Sequence, residues 1–407
     1  MSGISKKDVA YLRELAKKQM EYANTPENKM RESRWFAHND LQADQPIVTI
    51  EEDTFFHEVA RPLICETEDG RRFEEKILRH IIGREDIDDD RATPDYFGAM
   101  RYSWFTPFGI EPKVNRVGDT SAHEYIHVIH DLERDIEKLG ASTWGYEKRS
   151  SDLDMAEEIF HGIMPVVEIS EFPYGGLTHM LIRLISQETL FMSMYDYPDL
   201  VHKMMHMLVS DWEKYYKELE ENGILITNNL NQPLWQGTNA ATNLLTYKDG
   251  ATIGDMWGYF DSQETVGLSP DMFAEFLFPY YKPLMDKCGL INYGCCEPVH
   301  FFWEKCLSRC QNLRKLSISP WCDEVYMGDK LRGTSVIYHR KPSPNLLGEK
   351  EGFEDEYAKH IVETLKAAKG CKLEFSLRDV YSIGGVKSRG KQVVRLIKRL
   401  IEAHWEG

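Results

Sequence analysis

The strongest constraint on this chain is a rhythm. From residue 160 onward, short apolar runs ending in polar or turn-forming residues alternate with longer stretches of helical spacing. The runs 164–169, 224–227, 255–261, 290–293, 313–318, 334–338 and 373–376 each read as a buried strand. With the β-branched run 47–50 they make eight. The intervening segments carry helix signals. Pro198 opens a stripe of Leu200, Met204, Met207, Leu208 and Trp212 that Gly223 stops, and Gly370 stops a second helix over 354–369. Eight strands mostly separated by helices predict an α/β fold, a single (β/α)8 (TIM) barrel domain over 1–407. N-terminal helices within 1–45 precede it. Residues 51–145, with the acidic stretch 85–90 and the aromatic group Tyr96, Phe97, Tyr102, Trp104, Phe105 and Phe108, read as an insertion covering one end, helix-like over 123–139. The alternative is an open doubly wound sheet. That fold wants a glycine-rich phosphate turn after its first strand, and Gly384-Gly385 alone is too weak a signal.

Composition narrows the function classes. The chain has 407 residues, 42% of them hydrophobic and 28% charged, which is ordinary for a protein with a large core. A net charge of −17 argues against a nucleic-acid surface, which needs a basic face. No apolar run reaches the length of about 18 residues that reads as a membrane span. The opening MSGISKKDVAYLRELAKKQM has no apolar core of signal-peptide length and reads as an amphipathic helix on Val9, Leu12, Leu15 and Met20. The expectation is a cytoplasmic protein, with a homodimer left open. Eight cysteines in a large chain without an export signal favour free thiols or metal ligation over disulfides. Cys295, Cys296 and Cys322 fall at strand ends, and the other five read as structural.

The stretch LINYGCCEPVHF, 290–301, concentrates the chemistry. Its apolar lead reads as a strand that Pro298 halts, so the adjacent thiols sit where a strand meets a loop. In a barrel all such ends open on one mouth. That gathers Asn231, Glu264, Tyr293, Cys295, Cys296, Glu297, Cys322, His339, Arg340, Arg378 and Asp379. Each has a structural reading: Arg378 and Asp379 as a local ion pair, His339 hydrogen-bonded in the wall, Glu264 capping the next helix, the thiols a buried pair. The cluster as a whole is harder to explain so, because buried charges cost free energy unless paired or metal-bound. Thiolates with a carboxylate or imidazole suit zinc, and an open zinc position polarises an ether, thiol or amine. The spacing is not a zinc-finger pattern.

From about residue 30 to the end the chain resembles the uroporphyrinogen decarboxylase superfamily. The resemblance is carried by FAHNDLQADQPIVTIEED, YDYPDLVHKMMHMLVSDWEKYY, DMWGYFDSQETVGLSPDMFAEFLFPYYKPL, INYGCCEP, KLSISPW and LRDVYSIGG. It implies a (β/α)8 barrel of a kind that also serves corrinoid-dependent methyltransferases. The Arg-Gln-Ala-Gly-Arg loop with which the decarboxylases grip pyrroles is missing, which weighs against porphyrinogen decarboxylation. The methyltransferases bind zinc through His-x-Cys on one strand and a Cys on the last. Here Tyr293-Gly294-Cys295 keeps the thiol without the histidine, and the last-strand position falls near Arg378-Asp379. Replacement ligands are then sought among Cys296, Glu297, Cys322 and Glu264, and the expected metal set is Cys295, Cys296, Glu297 and Cys322.

The resemblance implies transfer of a methyl group from a small donor to the corrinoid (cobalamin) of a partner protein, with no nucleic-acid or membrane partner. A methoxylated aromatic is the favoured donor, in keeping with 12% aromatic residues. The same aromatics would equally fill the barrel and its cover. Tyr293, Glu264, His339 and Arg378 are assigned to catalysis, and Asn39, Asn231, Trp235, Trp257, Trp321 and Arg340 to substrate binding. A second enzyme reading is decarboxylation of a non-porphyrin acid, with Arg340, Lys341 or Arg378 on the carboxylate. A non-enzymatic reading is a corrinoid or tetrapyrrole carrier, against which the missing Asp-x-His-x-x-Gly cobalt-ligating pattern speaks.

Overall fold

One strand shows how the sequence builds the architecture. In Leu373–Leu377, apolar side chains alternate with Glu374 and Ser376, and Arg378 continues the polar face, yet every residue of the strand is buried. Successive side chains on a strand point to opposite faces. Such a strand has an apolar face for a helix layer and a polar face that is also enclosed.

The computed structural model describes residues 3–116, 123–229, 233–234, 237–238, 240–242, 244, 246–348 and 353–406. Eight parallel strands run through it: β1 (Ile47–Ile50), β2 (Phe97–Arg101), β3 (Val166–Ser170), β4 (Trp257–Phe260), β5 (Leu290–Tyr293), β6 (Leu313–Ile318), β7 (Ile337–Arg340) and β8 (Leu373–Leu377). Six form one parallel sheet in the order β1-β8-β7-β6-β5-β4, and β2 pairs with β3 in a separate parallel ladder. A parallel bridge between Tyr174 and Tyr259 ties the segment after β3 to β4. On the other edge, the carboxylates of Asp90 and Asp89 accept the β1 amides of Val48 (2.8 Å) and Ile50 (3.1 Å). Among the described residues no ladder joins β1 to β2, so backbone pairing alone does not close the sheet into a ring.

Two expected elements differ. The run 224–227 makes only an isolated antiparallel bridge, Ile226 to Asp249. The Ser170 hydroxyl takes the place of a strand neighbour there, accepting from Ile226 N at 3.0 Å and donating to its carbonyl at 2.9 Å. The missing strand is β2, inside the stretch read as an insertion. Its Gly98-Ala99 gives no apolar run, and a Cβ at Gly98 would stand 2.8 Å from the Ile169 side chain. The remainder of 51–145 is mixed: a helix (Glu68–Ile82), the antiparallel pairs Ser103–Thr106 with Thr143–Tyr146 and Lys113–Arg116 with His123–Ile126, and a short helix at Leu132–Asp135. The helix expected over 123–139 is thus a strand followed by a short helix.

The amino-terminal helices α1 (Lys6–Ala23) and α2 (Pro26–Asn39) start on Ser5 and Thr25, whose side chains accept from the Asp8 and Asn28 amides. α2 lies near the amino ends of the strands. Its Trp35 donates to Asp90 O at 2.9 Å, and Arg314 of β6 donates to Asn39 O. No helix among the described residues is long and apolar enough to cross a membrane.

The polar face of the sheet is organised in layers. Lowest is a fully buried ion pair, Lys315 Nζ to Glu374 Oε2 at 2.7 Å, with His38 Nε2 3.3 Å from the same carboxylate and the Trp35 ring over the ammonium at 5.1 Å. Above it His339 Nε2 meets Ser376 Oγ at 2.8 Å, and Ser376 meets Thr49 at 3.1 Å. Burial alone would raise the Glu374 carboxyl, but the Lys315 ammonium, with the hydrogen bond from His38, holds it well below the usual range. Lys315→Met would leave this carboxylate buried without its main partner. The expected loss is about 3–5 kcal/mol, and adding Glu374→Gln is expected to restore most of it. Urea unfolding followed by circular dichroism measures both; equal losses in the single and double variants would show that the pair matters only as packing.

Candidate active site at the carboxyl ends of the strands

Immediately after β5 the chain must turn sharply. Gly294 has φ +100°, and a Cβ there would come within 2.9 Å of the Ser317 side chain, so glycine is required. The turn is held by Glu297. Its fully buried carboxylate accepts from Ser262 N and from Cys295 N, each at 2.8 Å, and so ties the loop after β4 to the loop after β5. Burial outweighs these amide bonds and pushes the carboxyl up from its ordinary value.

Cys295 and Cys296 follow, with their sulfurs 3.7 Å apart and neither in a disulfide. Arg378 Nη1 lies 3.8 Å from Cys295 Sγ, and Asp379 Oδ2 lies 3.9 Å from Cys296 Sγ. Arg378 is flanked by Asp379 (3.4 Å) and Glu51 (3.7 Å). The buried ammonium of Lys341 donates to Gly294 O at 3.0 Å. The Cys295 thiol is lowered to about 5: the hydrogen bond from Cys296 favours its thiolate, burial opposes it, and Lys341 and Arg378 add their charge. Cys296, as donor to that thiolate, is raised. The surroundings thus favour ionisation of Cys295 over Cys296.

These groups line an open cavity of about 500 Å³. Gln263 enters from the end of β4, the two cysteines from β5, Trp321 from β6, Lys341 from β7, and Arg378, Asp379 and Tyr381 from β8. Of the residues singled out from sequence, Cys295, Cys296, Trp321, Arg378 and Asp379 meet here, with Lys341 of the decarboxylation reading. The others are elsewhere. Tyr293 is buried with its hydroxyl 2.7 Å from Ser262 Oγ. Glu264 is engaged by His179 (2.9 Å) and Thr178 (2.8 Å), which hold its carboxyl below the usual range although burial opposes them. His339 belongs to the layer beneath, where burial holds its imidazole neutral. Arg340 faces the opposite side of β7, donating to Ile318 O and Ser319 O and meeting His360 on the helix Phe353–Ala367. Asn39, bonded to Ala240 O, and Trp257, bonded to Asn229, lie near the amino ends of the strands. Asn231 and Trp235 lie outside the described residues. Gln263 and Tyr381 were not assigned from sequence, although each stands within four residues of a strand end. Strand-end position was the available signal.

The expected zinc ligands do not assemble. Glu297 is occupied by backbone amides, and Cys322 Sγ rests 3.6 Å from Ser319 Oγ and 3.9 Å from Glu297 O. Among the described residues no three His, Cys, Asp or Glu side chains are grouped to hold a metal ion. Cationic side chains instead occupy the space beside the thiolate.

No protein-family model matches the chain, and no curated protein matches it in sequence. In structure it is similar to a methyltransferase from Methanosarcina mazei, with a TM-score of 0.51, over 91% of this chain and 98% of that one. Sequence identity is 13%, so the likeness is one of fold.

The charge state of Cys295 can be read directly. Thiolate absorbance at 240 nm is expected to titrate with a midpoint near about 5. Lys341→Met is expected to raise that midpoint by about 1–3 pH units, the range an adjacent opposite charge commands. A midpoint near that of a free thiol in the unchanged protein would refute the assignment.

Proposed function

We propose that this protein is a methyltransferase that moves a methyl group from a small donor, a methoxylated aromatic by preference, to the corrinoid of a partner protein. We read its fold as a (β/α)8 barrel of the uroporphyrinogen decarboxylase kind, with the six-stranded sheet as the larger arc. Two things support the reading of the fold. The likeness to a methyltransferase extends over nearly the whole chain. Contacts such as Arg378 to Cys295 also link the ends of β8 and β5 across two intervening strands, which requires a strongly curved sheet.

The observation that carries the chemistry is the pair of basic side chains, Lys341 and Arg378, set beside the Cys295 sulfur in the cavity. Demethylation of an aryl methyl ether expels a phenolate. Its barrier falls when the charge growing on oxygen meets cations already in place. Here Gly294 O, Glu51 and Asp379 orient the two groups before a substrate arrives. Trp321 and Tyr381 offer ring faces at the cavity wall, and the Gln263 amide offers a hydrogen bond to the ether oxygen. A corrinoid on the partner would supply the nucleophilic cobalt that takes the methyl carbon. The chain's own part is to align the donor and stabilise the departing oxygen. Zinc has no step in this mechanism, because the donor set does not assemble.

Exposed apolar side chains fit a partner docking at this end. Val266, Phe301, Trp321, Val325 and Tyr381 are each more than half exposed, and all lie in segments that follow the carboxyl ends of β4, β5, β6 and β8.

Methyl transfer from an aryl methyl ether to cob(I)alamin, free or on a corrinoid protein, is expected to produce the methylcobalamin spectrum. Lys341→Met is expected to lower kcat by about 10²-fold or more, as for other preorganised charge stabilisers. No methylcobalamin across a panel of methoxyarenes, amines and thiols would sink the reading. Carbon dioxide release without methyl transfer would select a decarboxylase instead.

A further inference from the structure

We infer that Cys295 and Cys296 form a chelating site for trivalent organoarsenicals. The inference goes beyond methyl transfer and does not depend on it.

The argument begins with spacing. Two sulfurs bound to one zinc ion at about 2.3 Å with tetrahedral angles stand roughly 3.8 Å apart, and trivalent arsenic, which is pyramidal with narrower angles, draws them somewhat closer. The two Sγ atoms are 3.7 Å apart, so a small side-chain rotation closes the chelate. They are adjacent in sequence, and the Gly294 turn and the Glu297 amide bonds hold their backbone. Cys296 is partly exposed, and both sulfurs line the open cavity.

The surroundings then choose the centre. Zinc requires three or four protein ligands. Two thiols converge, the Asp379 carboxylate stands 3.9 Å from Cys296 Sγ beside Arg378, and among the described residues no three such side chains are grouped to hold a metal ion. Lys341 and Arg378 also place positive charge against the sulfurs, which opposes a dication. An organoarsenic dithiolate meets neither obstacle. It is electrically neutral, and its third substituent is its own organic group. The cavity has room for that group beside Trp321, Tyr381, Pro320 and Pro342.

The step balances without a redox partner. Cys295 Sγ attacks the arsenic of an arylarsenous oxide, R–As=O, and Cys296 Sγ adds next. Two As–S bonds replace the bonds to oxygen. The oxygen leaves as water, carrying the Cys296 proton and a second from Cys295 or, where that sulfur is already ionised, from solvent. Arsenic remains trivalent.

The test is intact-mass spectrometry of the full chain after one equivalent of phenylarsine oxide in excess glutathione. One adduct is expected, of phenylarsine oxide less one water, removed by 2,3-dimercaptopropanol and not by glutathione. Cys295→Ser and Cys296→Ser are each expected to weaken retention at least ~100-fold, because losing the second arm forfeits an effective-concentration advantage of about 10²–10⁴. Circular dichroism checks that the variants fold. Peptide mapping of the unchanged protein locates the arsenic whether they fold or not. Arsenic on any other cysteine, an adduct persisting in the double variant, or one that glutathione strips as readily from the unchanged protein as from either single variant would overturn the assignment.

Discussion

An ion pair enclosed by the sheet sets the terms for everything above it. Lys315 is on β6 and Glu374 on β8, with β7 between them. In a flat sheet their backbones would stand about 9.6 Å apart, twice the usual strand spacing. A 2.7 Å contact between the side-chain ends is reached because both long side chains lie on the same face and lean over β7. Arg378, at the end of β8, likewise reaches Cys295, at the end of β5. The fold that encloses one pair of charges low in the sheet thus assembles a second group of charges at its rim.

Enclosing polar groups leaves little freedom. Each must find a partner, since an unpaired buried charge costs several kcal/mol and the low local dielectric makes every mismatch expensive. The layers show how this is met. An ionised pair is covered by the Trp35 ring, hydroxyls and a neutral imidazole sit in the middle, and a thiolate with its cations lies at the top. Burial keeps His339 and His38 neutral, so the lower layers carry one balanced pair rather than a surplus of positive charge. Opposing charge is thereby kept near the rim, beside an open cavity.

Much of the fold was legible because parallel strands covered on both faces read as short, nearly continuous apolar runs. Two exceptions have physical causes. Ile226 uses the Ser170 side chain where a strand would use backbone, and β2 contains Gly98-Ala99 where an apolar run would be looked for. At the site, proximity to a strand end found Cys295, Cys296, Trp321, Arg378 and Asp379, but proximity ignores the period of two. Arg340 and Lys341 are neighbours, yet one turns to the helix layer and the other to the cavity. Following His339 by two residues along β7 separates Lys341 from Arg340, which the sequence reading set side by side as carboxylate binders. The role of Glu297 was not legible in that way. A carboxylate beside two thiols looks like a ligand until the Ser262 amide, on a different loop, is seen to occupy it.

The exchange at position 293 and the cations around the thiolate belong to one argument. On the proposed reading the chain is a variant of methyltransferases in which zinc neutralises the strand-end thiolate and a histidine two residues before it helps hold the metal. Tyr293 stands there instead, its hydroxyl turned to Ser262. A buried thiolate without a counter-charge would revert to the thiol. Lys341 and Arg378 supply that charge from β7 and β8. The replacement is not neutral in its chemistry. A metal offers an open coordination position to a departing atom, whereas ammonium and guanidinium groups offer only N–H donors. On the proposed reading, a site built this way would favour leaving groups that gain most from hydrogen bonding as their charge develops, and a phenolate oxygen is such a group.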